Sequence, residues 1–177
     1  ISELISAGSS YVDSFEQYSV ETVYNCHKNL LDASLTFLRS VDIVITERCT
    51  LKCRDCANLM QYYTKPVNID QVDLIDAYRK LNQAVDGIHE LRVIGGEPFA
   101  NKHIYSIVEE LLRIGGFTKL VVYTNGSVPL NEEKAKVFRD ERVVFSITDY
   151  GELTPKTSEF IASIDKMGLT ARIHPPE

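Results

Sequence analysis

The chain has 177 residues, 44% of them hydrophobic, and a formal net charge of −6. That is enough apolar material to bury one core without disulfide staples, and it predicts a single domain of ordinary globular composition. The 19 basic residues are scattered rather than gathered into a stripe, which excludes a nucleic-acid footprint, and no apolar run approaches the roughly 20 residues of a membrane span.

In chain order, residues 1–40 read as an N-terminal helical extension, with a helix over about 21–39, ahead of one unit at 41–177. VDIVIT (41–46) reads as a strand, being short, β-branched and followed at once by a polar loop. Asn68 or Asp70 can cap a helix to about Ala84, whose apolar face is Val72, Ile75, Ala77, Tyr78 and Leu81. ELRVI (90–94) is the second strand and ends at Gly95-Gly96. Ile104, Ile107, Val108, Leu111 and Leu112 make a helix stripe that Gly115-Gly116 stops, and KLVVYT (119–124) follows as a third strand. A helix with a weaker stripe over 131–139 leads to VVFSIT (143–148). Thr154 as cap and Pro155 as first helical residue then open a helix that Gly168 closes, and TARIH (170–174) begins a fifth strand.

Five strands alternating with four helices predict an α/β fold with a parallel sheet and right-handed crossovers, either open or curled into a barrel. Both arrangements bind ligands at the carboxyl ends of the strands. The unusual residues fall there: three cysteines after the first strand, GGEP after the second, TNG after the third and SITDYG around the end of the fourth.

The chain holds four cysteines, Cys26, Cys49, Cys53 and Cys56. With no visible signal peptide, a soluble cytoplasmic protein is expected, and the tight trio fits metal or cluster chemistry better than disulfides. The chain opens at Ile1, so an upstream targeting segment stays open. Soft thiolates select zinc, copper(I) or iron–sulfur clusters. Structural zinc wants four closed ligands, and His89, His103 and His174 lie on distant segments without pair spacing. A disulfide inside the trio would leave an odd thiol in the same loop. An iron–sulfur cubane on three cysteines fits best and leaves one iron without a protein ligand. Cys26 reads as a buried structural cysteine; as a fourth ligand it would instead make a closed electron carrier.

The spacing C-x3-C-x2-C at Cys49, Cys53 and Cys56, followed by GGEP at Gly95, Gly96, Glu97 and Pro98, resembles the radical S-adenosylmethionine (radical SAM) superfamily. The resemblance covers about residues 41–174 and implies a partial (βα)6 TIM-like barrel, here ending soon after its fifth strand. It implies that the three cysteines hold a 4Fe-4S cluster whose fourth iron is chelated by the amino and carboxylate groups of S-adenosylmethionine. Gly95 and Gly96 would open the backbone to the methionine ammonium, and Glu97 would help to hold it. Thr124 and Asn125 would face cofactor or substrate, although Asn125-Gly126 also reads as a plain turn. Ser146 would contact ribose or carboxylate on a face shared with Thr148, with Asp149, Arg172 and His174 as weaker candidates.

The implied activity is one-electron cleavage of S-adenosylmethionine to a 5′-deoxyadenosyl radical that takes hydrogen from a peptide, sugar or other small molecule. Arg48, Lys52 and Arg54 would dock an acidic electron donor such as a flavodoxin or ferredoxin. Tyr62-Tyr63 read as substrate-lining or packed tyrosines. Two departures from the family pattern stand out: Asp55 where an aromatic residue commonly precedes the third cysteine, and no sixth strand. The rival readings are a glycyl-radical-enzyme activase, an iron–sulfur electron carrier or structural metal domain, and a barrel without catalysis.

Overall fold

The structure, a computed structural model, describes residues 35–176. Its strands are β1 (Phe37–Val44), β2 (Gly87–Ile94), β3 (Phe117–Thr124), β4 (Val143–Thr148) and β5 (Ala171–His174). They form one sheet in the order β1-β2-β3-β4-β5, every neighbouring pair parallel. The helices are α1 (Gln71–Ala84), α2 (Ile104–Ile114) and α3 (Thr157–Met167). A strictly sequential order has no switch point, so every crossover turns the same way and the sheet curls with its helices outside. That decides between the two arrangements left open above, in favour of part of a barrel.

Alternation along each strand separates two faces. Ile43, Leu91, Val93, Leu120, Val122, Phe145 and Ile147 face the helices and pack with Leu74, Ile75, Tyr78, Ile107, Leu111, Phe160 and Ile164 in the main core. Phe145 belongs to its aromatic cluster, stacked on Phe99 at 6.3 Å and edge-on to Phe138 at 5.1 Å and Phe160 at 6.0 Å. The opposite face lines the lumen in layers set by the strand register. Ser40, Glu90 and Lys119 form one level; Asp42, Arg92, Val121 and Val144 the next. Tyr123, Ser146 and Arg172 lie above these, and Thr148 pairs with His174 at the rim. Val121 and Val144 are buried yet stand outside the helix-side core, as lumen residues should.

Three expectations are corrected. The strand begins at Phe37, so the last three residues of the helix expected over 21–39 are strand; the rest of that helix, and Cys26, lie outside the described residues. The backbone explains the early start: Thr36 N donates to Asp86 Oδ2 at 2.7 Å, and Phe37 is already in register with Gly87. The helix expected over 131–139 is a 3-10 helix at Lys134–Arg139. Its two buried residues, Ala135 and Phe138, are three apart, so the three-residue turn sets them one above the other on one face. Lastly, α3 starts at Thr157 without a side-chain cap at Lys156, and the expected cap, the Thr154 hydroxyl, makes no hydrogen bond. The Thr157 hydroxyl instead donates to the Asn125 carbonyl at 2.8 Å, tying the helix start to the end of β3. The other cap is Asp70, whose carboxylate accepts from Val72 N and Asp73 N.

Removing the Phe145 ring leaves a cavity shared by three aromatic neighbours. Phe145→Ala is expected to cost about 3–5 kcal/mol, read as a lowered urea midpoint at unchanged slope.

Candidate functional site: the cysteine loop and the GGEP turn

Past Val44 the chain continues alongside the end of β2 rather than leaving it. Ile45 N donates to Ile94 O at 3.0 Å, Gly96 N to Thr46 O at 2.9 Å and Glu97 N to Arg48 O at 2.7 Å. The start of the cysteine loop therefore lies against the GGEP turn. A Cβ on Gly95 would sit 2.6 Å from Thr46 O, and one on Gly96 would sit 2.3 Å from Arg48 O and 2.8 Å from Cys49 Cβ. These are backbone clashes, so only glycine lets the two segments meet. From the far side of the loop, Asn58 Nδ2 donates to Gly95 O at 3.2 Å.

Glu97 is fully buried, and its carboxylate is held by the chain itself. Oε1 accepts from Phe99 N at 3.1 Å and from the Thr124 hydroxyl at 2.7 Å; Oε2 accepts from Asn125 N at 2.8 Å. Burial pushes its pKa up, while the bonds from Asn125, Thr124 and Phe99 pull it back. Three donors and no competing acceptor favour the ionised form in this geometry. Thr124 closes a second link by accepting from Gly126 N at 3.0 Å. Asn125 continues the chain of contacts: its Nδ2 donates to Thr50 Oγ1 at 3.1 Å, and that hydroxyl lies 2.6 Å from Ser127 Oγ. The β2 turn, the β3 turn and the cysteine loop thus form one hydrogen-bonded rim.

Cys49, Cys53 and Cys56 are all half-buried free thiols on this rim. Burial raises the Cys49 thiol, with smaller contributions from Glu97, Cys53 and Cys56 and an opposing bond from Leu51 N at 3.4 Å. Across from them stands Tyr150, just past β4, whose phenol is pushed up to about 12 by burial and then by Cys53, Cys49 and Cys56. Among the described residues no three of His, Cys, Asp and Glu converge tightly enough to hold a single metal ion. Three soft donors on one loop, near enough for Cys53 and Cys56 to act on the Cys49 thiol, are a donor set that fits a cluster.

The structure brings most of the sequence candidates together. Gly95, Gly96, Glu97 and Pro98 join the cysteines at one end of the sheet, with Thr124 and Asn125 as the buckle between them. Thr124 Oγ1 is engaged with Glu97 and Gly126 and points away from the lumen, so its contribution is to hold the rim. Ser146 and Thr148 share the lumen face as expected, and Ser146 Oγ lies 2.8 Å from His174 Nε2. Asp149 closes a turn by accepting from Gly151 N at 2.8 Å. Tyr62 and Tyr63 are exposed, and neither packs into the core. Sequence reasoning missed Thr50, Asn58, Tyr150 and the lumen pair Asp42 and Arg92. Strand parity could have exposed the last two, since both fall on the face opposite Ile43 and Val93.

A curled parallel sheet with helices outside and a three-thiol loop locked to a GGEP turn at its carboxyl end defines a cluster-bearing barrel domain. The family model of the Radical SAM superfamily matches residues 43–160, and the chain belongs to that superfamily, whose cofactors are a 4Fe-4S cluster and S-adenosylmethionine. A GTP 3′,8-cyclase of Clostridium acetobutylicum is 33% identical over 92 residues, 50% of this chain and 28% of the relative. One from Geobacter sulfurreducens is 27% identical over 159 residues, 79% of this chain and 46% of the relative. The chain spans less than half the length of these curated relatives. The fold is shared with Streptococcus suis SuiB bound to S-adenosylmethionine (TM-score 0.63, 16% identity, 97% of this chain and 42% of that one). It is shared too with the anSMEcpe enzyme with bound AdoMet (TM-score 0.59, 15% identity, 78% and 42%). No helix among the described residues is long and apolar enough to cross a membrane.

Replacing Glu97 by glutamine keeps its size but turns an amide donor toward a group of three donors. Glu97→Gln is expected to cost about 1.5–3 kcal/mol, the range for a hydrogen bond to a charged group. Iron retained per chain after anaerobic reconstitution should fall with it, and Glu97→Asp should not restore the link because its carboxylate is one methylene short.

Proposed function

We propose that this chain is the core of a radical SAM enzyme. In this reading Cys49, Cys53 and Cys56 hold the cluster, and the Gly95–Pro98 turn meets the methionine end of S-adenosylmethionine. Ser146 and Thr148, with Arg172 and His174 beside them on β5, meet its ribose and carboxylate from the opposite wall. One observation carries the proposal: the cysteine loop rests on the GGEP turn at a distance only glycine permits, so the thiols and that turn form one site.

When bound, the cluster would supply one electron to S-adenosylmethionine, giving methionine and a 5′-deoxyadenosyl radical that removes a hydrogen atom from substrate. The chain's own residues position and protect. Glu97 fixes the ends of β2 and β3, so the turn that meets the methionine does not move. Asn58 and Thr50 pin the cysteine loop from its two ends. Burial keeps the free Cys49 thiol protonated to higher pH, and metal binding must displace that proton. Tyr150, half-buried just past β4, stands close enough to Cys53 to hydrogen-bond to it.

The rim is locally basic on an acidic chain. Arg48, Lys52 and Arg54 are exposed, and Arg54 gives little of its charge to Asp55, because that pair is itself largely solvated. An acidic electron carrier, a flavodoxin or ferredoxin, is the partner such a surface attracts. The substrate is a small polar molecule or a peptide, and the protein works in the cytoplasm.

The test is product formation. Anaerobically reconstituted protein with dithionite and S-adenosylmethionine should yield 5′-deoxyadenosine, and Cys53→Ala should yield none. Deoxyadenosine made equally by the variant, or made by neither at full iron loading, overturns the proposal.

A further inference from the structure

The lumen below the rim holds charges that the rim chemistry does not use. At one level of the sheet β3 and β4 place Val121 and Val144 inward, whereas β1 and β2 place Asp42 and Arg92. The Arg92 Nε donates to Glu90 Oε1 at 2.6 Å, and its NH1 stands 3.9 Å from Asp42 Oδ1. The first contact is a hydrogen bond; the second is too long to be one. The guanidinium also lies over the Tyr123 ring, 5.9 Å from its centroid. Glu90 and Tyr123 therefore fix the guanidinium, while Asp42 lies beside it without closing on it. Both remain open to the lumen, with side chains 51% exposed for Asp42 and 37% for Arg92.

We propose that Asp42, Arg92 and Tyr123 bind the uncharged, polyhydroxylated part of a substrate, a sugar or cyclitol ring, on the lumen wall. This deepens the proposed function, and it rests on that reading for what becomes of the ligand. A carboxylate only accepts and a guanidinium only donates, and a hydroxyl can do both. Two neighbouring hydroxyls can satisfy Asp42 and Arg92 together, which neither a carboxylate nor an ammonium can. Tyr123, exposed over a third of its surface, offers an apolar ring to the C–H surface of such a ligand.

Charge balance argues against a polyphosphate in the same place. Lys119 stands opposite Glu90 in the register, so this part of the wall carries two acids and two bases. A triphosphate would meet the like charge of Asp42 and Glu90, and Arg172, one level up beside Ser146, leaves a surplus of only one cation against its several negative charges. Depth fits as well. Arg92 lies four residues before Gly96, about 13 Å along β2 at roughly 3.3 Å per residue, so a ring bound there lies further down the lumen than the GGEP turn.

The test is a titration of the full chain, labelled with 15N-arginine, followed by the Arg92 Nε–H resonance. That resonance is assigned by its loss in Arg92→Lys or, should that variant not fold, by the shift that Asp42→Asn produces. Myo-inositol and D-ribose are the probes, and sodium pyrophosphate is the counter-probe. The expected result is a saturable shift with a polyol and none with pyrophosphate, with Asp42→Asn weakening the polyol response several-fold. A shift with pyrophosphate alone makes this an anion site, and no shift with either makes the ion group purely structural; both overturn the proposal. The titration needs neither cluster nor S-adenosylmethionine, so its failure and a failure to form deoxyadenosine are told apart.

Discussion

The site depends on one buried carboxylate. Glu97 joins the end of β2 to the end of β3 through two hydrogen bonds, from Thr124 and Asn125, a third from Phe99 N fixes its own turn, and its backbone N–H is tied to Arg48 in the cysteine loop. A buried carboxylate is costly unless its oxygens are satisfied, and here both are. The same residue therefore sets where the β2 turn, the β3 turn and the first thiol lie relative to one another. Gly95 and Gly96 supply the other half of the constraint, because any side chain there would push the cysteine loop off the turn.

That constraint lets a mostly apolar scaffold carry a polar rim. The helix-facing side of the sheet is a continuous aromatic and aliphatic core, and the lumen side changes with height from an ion group, through Tyr123 and Ser146, to the thiols. Each level is one strand alternation above the last, so moving a strand by one residue would exchange core for lumen. The parallel register is thus as much a part of the site as the cysteines.

Much of this was legible in the sequence. Cys49, Cys53, Cys56 and the GGEP turn gave the chemistry, because thiol spacing and glycine pairs are local signals. The five strands were legible because each is a short β-branched or apolar run ending at a turn. The start of β1 was not, because its pairing with Gly87 is a long-range contact that overrides the helical pattern around residues 37–39. Nor was the start of α3, where Thr157 bonds to the carbonyl of a residue 32 positions away. Glu97 illustrates the same limit inside the site: the sequence marked it as functional but could not show that its carboxylate is taken up by Thr124, Asn125 and Phe99.

The most direct measurement of the central claim, that these loops build a three-thiolate cluster site with one coordination position left for S-adenosylmethionine, is electron paramagnetic resonance of the anaerobically reconstituted, reduced protein with and without that cofactor. The account predicts a reduced 4Fe-4S signal whose g-values change when S-adenosylmethionine is added. A cluster signal identical in both samples, or a protein that takes up only zinc, would contradict it.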